Sequence, residues 1–518
     1  MKKNAHARPK CTGVLVKLQR VSLTQARTKL RAIFGNDARV EIITPDLDWY
    51  KVVSSAVSPV PGAAFDFVAN IRRRAGILDA EPILSGTPMI LDEFDAQDQR
   101  ARSANELPDP STEGKYFWHL GQVKAKEAWQ RFGVQGEGMR VAHLDTGYTS
   151  HPELVTGAGV RADLGYNFEE NHSDPTEPLD TIDQGHGTAT ASVLIGQPGK
   201  QHQIPDLEAY AEGIAPRAEL VPIRVDTDVW FVSSENDVRG ITHALRASVD
   251  VISMSRGGLD SEALHDAVQL AVSRGVIVVA AASNCNVSCR VWAPGQYPEV
   301  VCVAGSTFAR TPWGSSSRGK EVAIGAPAHS VYRARTKNRE NDYDYWVERS
   351  SGTSYATPLV AGAGLLWLQR HGGRETVARA VGGPQNIAVV FKHLLMTRGF
   401  QPGVDWDTNE FGPGILDVLA LLDAPLSDPR SVAGVRTTLL RRQRPHPISA
   451  QVFRRMLRLQ MMELDYYCLL DPNIHRVVVA LSEADNPTVI RRQRGQLRER
   501  LDYLHASTRL MRLVAESS

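Results

Sequence analysis

Val141-Ala142-His143-Leu144-Asp145-Thr146-Gly147 is a short apolar run that stops on a carboxylate, with a glycine two residues later. Read as a buried strand, it holds Asp145 at the carboxyl edge of a sheet. Comparable β-rich runs follow at 220–225, 251–254, 276–282, 300–303 and 322–324, and helical segments alternate with them. That alternation predicts an α/β fold, a parallel sheet with helices on both faces. Functional groups should then lie beyond the carboxyl ends of its strands. Asp-Thr-Gly also occurs in aspartic proteases, but their chemistry needs two such loops sharing a proton. The chain has no second Asp-Thr-Gly or Asp-Ser-Gly.

Two further segments bear on the chemistry. In Gly185-His186-Gly187-Thr188-Ala189-Thr190-Ala191, glycines flank a histidine that opens a helix of small residues, so the imidazole can face a cleft uncrowded. A lone histidine at such a place is about as often a plain surface residue. In Ser350-Ser351-Gly352-Thr353-Ser354-Tyr355-Ala356-Thr357-Pro358-Leu359-Val360-Ala361-Gly362, Ser354 begins an apolar helix. The dipole and free N–H groups there favour developing negative charge. A serine at a helix start is ordinarily an N-cap, yet Pro358 is odd for an ordinary helix because it deletes a hydrogen bond. Asp145, His186 and Ser354 follow one another in one of the chain orders known for acid–imidazole–alcohol catalysis.

On these segments the chain resembles the subtilisin-like serine proteases (subtilases, peptidase family S8). The resemblance extends to Gly213-Ile214-Ala215-Pro216, to Ser253-Met254-Ser255-Arg256-Gly257-Gly258 and to Val278-Val279-Ala280-Ala281-Ala282-Ser283-Asn284. Tyr297-Pro298 and Ser315-Ser316-Ser317-Arg318-Gly319 fit later landmarks, so it covers roughly residues 116–424. It implies that Ser354 attacks a peptide carbonyl, that His186 shuttles the proton, and that Asp145 orients the imidazole. Asn284 and the Ser354 N–H would stabilise the oxyanion. Substrate would add as a strand along Ser255, Arg256 and Gly257, with Ala282 and Ser283 bordering the same cleft. Arg256 and Ser283 depart from the family pattern, which usually has an apolar residue and a glycine there. A guanidinium bordering the cleft would favour acidic side chains, or else project into solvent. No cofactor or metal is expected: the loop 197–212 lacks the family's Asn-rich calcium-binding segment, and Glu153 stands where Asp is often found. Cys285 and Cys289 lie just after Asn284 and are close enough in sequence to bridge, but would be free thiols in a reducing compartment.

Working outward, residues 13–85 read as strand, helix, two strands, helix and strand, the βαββαβ order of a ferredoxin-like unit. The two helices are carried by Leu23, Ala26, Leu30 and Ile33, and by Ala64, Val68, Ile71 and Ala75. This unit resembles the subtilase propeptide, which implies an intramolecular inhibitor and a latent precursor. The expected division is a propeptide-like domain over 11–88, a linker over 89–113, a catalytic domain over 114–425 and a basic helical module over 426–518.

Fifty-nine basic and 58 acidic residues nearly cancel across the 518 residues. From Arg430 onward, however, sixteen Arg face eight Asp or Glu, a local excess of 16 − 8 = +8. Arg441-Arg442-Gln443-Arg444 and Arg491-Arg492-Gln493-Arg494 lack the interleaved aromatics of single-strand binders, so nucleic acid is not an expected partner. A helical module with solvated Arg faces, meeting a protein partner or the acidic remainder of the chain, is expected instead. Its apolar stripes are Val452, Phe453, Met456, Leu457, Met461 and Leu464, and Ile490, Leu497 and Leu504. No apolar run reaches membrane-spanning length and no secretory h-region follows the basic start. The expected location is the cytoplasm, with non-standard export as the alternative. The functional expectation is a serine endopeptidase working through an acyl-enzyme. The rivals are a catalytically silent subtilase-fold binding or regulatory protein and an α/β-hydrolase esterase, whose Ser…acid…His order and G-x-S-x-G turn this chain does not show.

Overall fold

The computed structural model describes residues 10–86, 115–155, 159–180, 183–197, 211–285, 289–339, 342–426, 458–483 and 487–516. The N-terminal unit contains β1 (Lys10–Leu18), α1 (Leu23–Phe34), β2 (Arg39–Ile42), β3 (Trp49–Val53), α2 (Pro61–Ile71) and β4 (Ile77–Ser85). Its sheet runs β2-β3-β1-β4 with every neighbour antiparallel, the ferredoxin-like order. Ser22 and Gln25 form a capping box at the start of α1, and Pro61 opens α2. α2 stops at Ile71 rather than running to Ala75. Tight i→i−3 bonds from Arg73 and Arg74 close the helix, and Arg72 Nε reaches across to the Ala80 carbonyl at 2.7 Å.

The central sheet has seven parallel strands in the order β13-β12-β11-β9-β5-β7-β6. They are β5 (Arg140–Asp145), β6 (Tyr166–Asn167), β7 (Glu219–Arg224), β9 (Val251–Met254), β11 (Ile277–Ala281), β12 (Val301–Ser306) and β13 (Val322–Pro327). Every residue of β9, β11, β12 and β13 is buried, as strands covered on both faces require. This is the parallel α/β architecture expected. The helices that matter for the site are α3 (His186–Ile195), α4 (Glu235–Arg246), α5 (Glu262–Ser273) and α6 (Thr353–Arg370). α6 is buried from Tyr355 to Leu368. Pro358 is accommodated in it because the carbonyl it leaves without an N–H partner, that of Ser354, accepts from Ser255 Oγ at 2.9 Å instead.

Two short ribbons complete this unit. β8 (Trp230–Phe231) pairs in parallel with β10 (Gly257–Gly258). β14 (Val331–Arg339) and β15 (Asp342–Ser350) form an antiparallel hairpin that closes over α3, with Ala334 N–H on Ser192 Oγ at 2.9 Å and Arg335 Nη1 on the Gln184 carbonyl at 2.7 Å.

The N-terminal sheet rests on α4 and α5. Asp266 receives both Lys17 Nζ (2.6 Å) and the Trp49 indole N–H (2.7 Å), and Lys51 pairs with Glu235 at 2.8 Å. Glu81 accepts from the Glu262 N–H (2.9 Å) and Ser261 Oγ (2.5 Å), a carboxyl set on the amino end of α5.

The C-terminal segment is helical: α7 (Arg458–Leu470), α8 (Pro472–Glu483), α9 (Pro487–Tyr503) and α10 (Thr508–Glu516). Leu464 and Leu497 are fully buried, while Met461, Ile490 and Leu504 are half-buried. Residues 452–457, Arg441 to Arg444 and the linker 89–113 lie outside the described residues. The expected solvated Arg face is present, with Arg491, Arg492, Arg498 and Arg500 of this module exposed. Its apolar faces join Val14, Phe65, Val68 and Leu84 of the N-terminal unit in one continuous hydrophobic cluster. Among the described residues no helix is long and apolar enough to cross a membrane.

Candidate active site

β5 delivers Asp145 to the carboxyl edge of the sheet, and α3 opens on His186 beside it. Gly147 has φ +109°, and a Cβ on Gly187 would meet the Gly147 carbonyl oxygen at 2.0 Å, so bare backbone on both sides lets the two loops touch. His186 Nδ1 lies 2.7 Å from Asp145 Oδ1, which also accepts the Thr146 N–H at 2.8 Å. Burial alone would raise the Asp145 pKa, but the neighbouring His186 outweighs it and holds the carboxyl below its usual range. Burial likewise disfavours a charged His186, and the Asp145 carboxylate more than reverses this, so its pKa is raised.

Sequence reasoning missed the layer behind this pair. Thr190 Oγ1 lies 2.9 Å from His143 Nε2 and 3.4 Å from Asp145 Oδ2. Burial lowers the pKa of His143, which lies in the core. Thr146 Oγ1 donates to Glu177 and accepts the Gly187 N–H, while Glu177 also takes the Gly185 N–H. Both turns that carry the functional groups are therefore pinned to one buried carboxyl.

Ser354 is the second residue of α6, where amides of the first turn have no intrahelical acceptor. Its Oγ donates to the Ser255 carbonyl at 3.3 Å, and among the described residues it makes no hydrogen bond to His186. Asn284 follows β11. Its Oδ1 accepts both the N–H (3.1 Å) and the hydroxyl (2.9 Å) of Thr353, which assigns the carboxamide orientation and leaves the Nδ2 donor available. Thr353 was not singled out in the sequence, although it adjoins Ser354.

Among the expected substrate-binding residues, the placement of Arg256 needs correction. Arg256 neither borders the cleft nor reaches solvent. Its side chain is 1% exposed, 2.8 Å from Asp226 and 3.3 Å from Asp237, with the guanidinium over the Phe231 ring. The Gly257 N–H donates to the Val229 carbonyl (3.0 Å), so β8 already occupies the edge on which a peptide strand was expected. Ala282 is fully buried, with its N–H on the Val303 carbonyl at 2.9 Å. Ser283 has φ +79° and its Oγ packs so closely on Gly257 that a Cβ there would sit 2.2 Å from it. Cys285 and Cys289 are joined, not free, across the loop that follows Asn284.

A cavity of about 440 Å³ lies where the end of β4 meets the segment after β7, lined by Leu84, Ser85, Asp226, Asp228, Trp230 and Glu235 among others. Burial, then the nearby Asp183, pushes Asp228 up to about 8. Among the described residues, no three His, Cys, Asp or Glu side chains converge as a metal site would require.

The model of the subtilase family matches residues 136–412. The minor extracellular protease Epr of Bacillus subtilis (strain 168) is 29% identical over 255 residues, 49% of this chain and 35% of that protein. The major intracellular serine protease of the same strain is 30% identical over 281 residues, 51% of this chain and 76% of the relative. Subtilisin E, also from that strain, is 32% identical over 257 residues, 49% of this chain and 61% of its own length. The matched region thus spans from about a third to three-quarters of these relatives. Among solved structures, fervidolysin from Fervidobacterium pennivorans, described as a keratinolytic enzyme related to subtilisin, superposes with a TM-score of 0.60 at 20% identity. The match covers 82% of this chain and 63% of that one, and it shows a shared fold.

Proposed function

Because the chain belongs to the subtilase family, we propose that it is a serine endopeptidase, made as a latent precursor, in which Asp145, His186 and Ser354 form the catalytic triad. The observation that carries the reading is the 2.7 Å contact of His186 Nδ1 with Asp145 Oδ1. It fixes the tautomer that leaves Nε2 to accept a proton. For attack, Ser354 Oγ must leave the Ser255 carbonyl and turn to that nitrogen. The hydroxyl then adds to a peptide carbonyl as its proton passes to His186. The oxyanion is met by Asn284 Nδ2 and the Ser354 N–H at the amino end of α6. Collapse breaks the C–N bond, and the proton goes from His186 to the departing amine. A water activated by the same imidazole then hydrolyses the acyl-enzyme.

Latency is supported by the packing of the N-terminal unit on α4 and α5, by the position of β4 beside the cavity near Asp228, and by the direct pairing of β8 with β10. In this reading a peptide strand along Ser255 to Gly257 requires β8 to draw back. The alternative, a silent subtilase-fold binding protein, is favoured only by that closed edge. Fluorophosphonate labelling decides between them. The purified chain should label at Ser354 once the N-terminal unit is displaced, and Ser354→Ala should neither label nor hydrolyse a protein substrate. A wild-type chain that stays unlabelled after displacement overturns the protease reading.

A further inference from the structure

We propose that the C-terminal helices are a receptor for the N-terminal domain, one that holds it on the catalytic domain after the chain between them has been cut. The inference builds on the latent-precursor reading, but its physical content is an interface. Cutting a linker abolishes the high effective concentration it provides, so a severed domain stays only if its contacts suffice. Here it has two contact faces. The sheet face lies on α4 and α5, and the α2 helix carrying Phe65 and Val68 packs against α7 and α10 within one hydrophobic cluster.

Three details give that second face its specificity. A Cβ on Gly62 would meet the His505 carbonyl oxygen at 2.0 Å, so α2 lies backbone to backbone on the turn between α9 and α10. Asp66 accepts the Thr508 N–H at 2.8 Å, capping α10 from another domain, while Arg509 Nη2 bonds Asn70 Oδ1 at 2.7 Å. Tyr466 OH holds the Ser85 carbonyl, the end of β4, at 3.0 Å.

The same helices are fixed to the catalytic unit. Arg458 pairs with both Asp260 and Glu262 at the amino end of α5, and Asp465 lies 2.8 Å from Arg290. The module therefore grips both partners. Hydrolysis between residues 86 and 115 alone leaves the N-terminal domain in place, and its release requires the C-terminal helices to be lifted or removed.

The test uses the full-length Ser354→Ala chain with a recognition sequence for an added site-specific protease placed within 89–113. After the cut, the N-terminal fragment should co-elute with the remainder in gel filtration and exchange slowly with free labelled fragment. Gly62→Val in the same background should speed release by roughly thirtyfold or more, as loss of a well-packed interface centre does. Asp66→Ala, a milder change, should speed it in the same direction, and it decides the matter if the valine variant fails to fold. Release from the cut parent chain as fast as from these variants overturns the proposal. Because the chain tested is inactive and cut by another enzyme, that failure is independent of whether Ser354 reacts with a fluorophosphonate.

Discussion

Gly187 and Asp145 show how much of the site hangs on single atoms. Gly187→Ala places a methyl group against the Gly147 carbonyl and must push His186 away from Asp145. Its expected signature is lost labelling of Ser354 together with a lowered melting temperature. Asp145→Asn keeps the shape but removes the charge that raises the His186 pKa. Turnover should fall by about 10⁴. Since hydrolysis needs the unprotonated imidazole, the rising limb of its pH–rate profile should also move to lower pH. Asn284→Ala should cost about 10²–10³ in kcat with little change in KM, the mark of a donor used in the transition state. These residues were legible because each stands at a strand or helix end beside glycine or small residues. Their supports, Thr353 and Glu177, were not, since an isolated Thr or Glu gives no hint of where its hydrogen bonds will go.

Among elements, the junction of β9, β10 and α4 departs furthest from the expectation drawn from sequence. Arg256 sits in a run that suggests a cleft residue, but its counter-charges, Asp226 and Asp237, come from after β7 and from α4, a pairing no local pattern announces. Arg256→Met should cost about 3–5 kcal/mol, because it leaves a buried carboxylate uncompensated, whereas Arg256→Met with Asp237→Leu should recover most of the loss. Urea unfolding of the three chains measures both. Six of the seven parallel strands were plain because each is a largely apolar run, whereas β6, only Tyr166–Asn167, gave no such signal. The β14–β15 hairpin was missed because Val331–Arg339 and Asp342–Ser350 are rich in charged and aromatic residues and lack an Asn-Gly type turn. Pro358 looked anomalous only because the group that satisfies the freed Ser354 carbonyl, the Ser255 hydroxyl, comes from another element.

At the scale of the whole molecule, the sequence conveyed the ferredoxin-like order of the first unit. It could not convey that the last helices complete the core of the first, because the stripes on α7 and α9 say only that they are covered. Glu81 makes the docking of the first unit sensitive to pH. Burial pushes its carboxyl up to about 7, against the hydrogen bonds from Ser261 and the Glu262 N–H, with Asp79 adding to the rise and Arg458 opposing it. The folded chain thus keeps a proton that the unfolded chain gives up near pH 4.3. This group's contribution should therefore fall as pH rises from there through about 7. Melting temperatures of the wild type and Glu81→Gln, compared at pH 5 and pH 8, should show the wild type losing ground to the variant.

The ladder between Trp230–Phe231 and Gly257–Gly258 has a kinetic corollary. In the proposed binding mode a peptide guest must evict an internal tenant before it can be seated, and the eviction proceeds at its own pace however concentrated the guest. Transition-state mimics should accordingly show slow-onset inhibition whose observed rate levels off at high dose, the plateau being the frequency with which that short ribbon unzips.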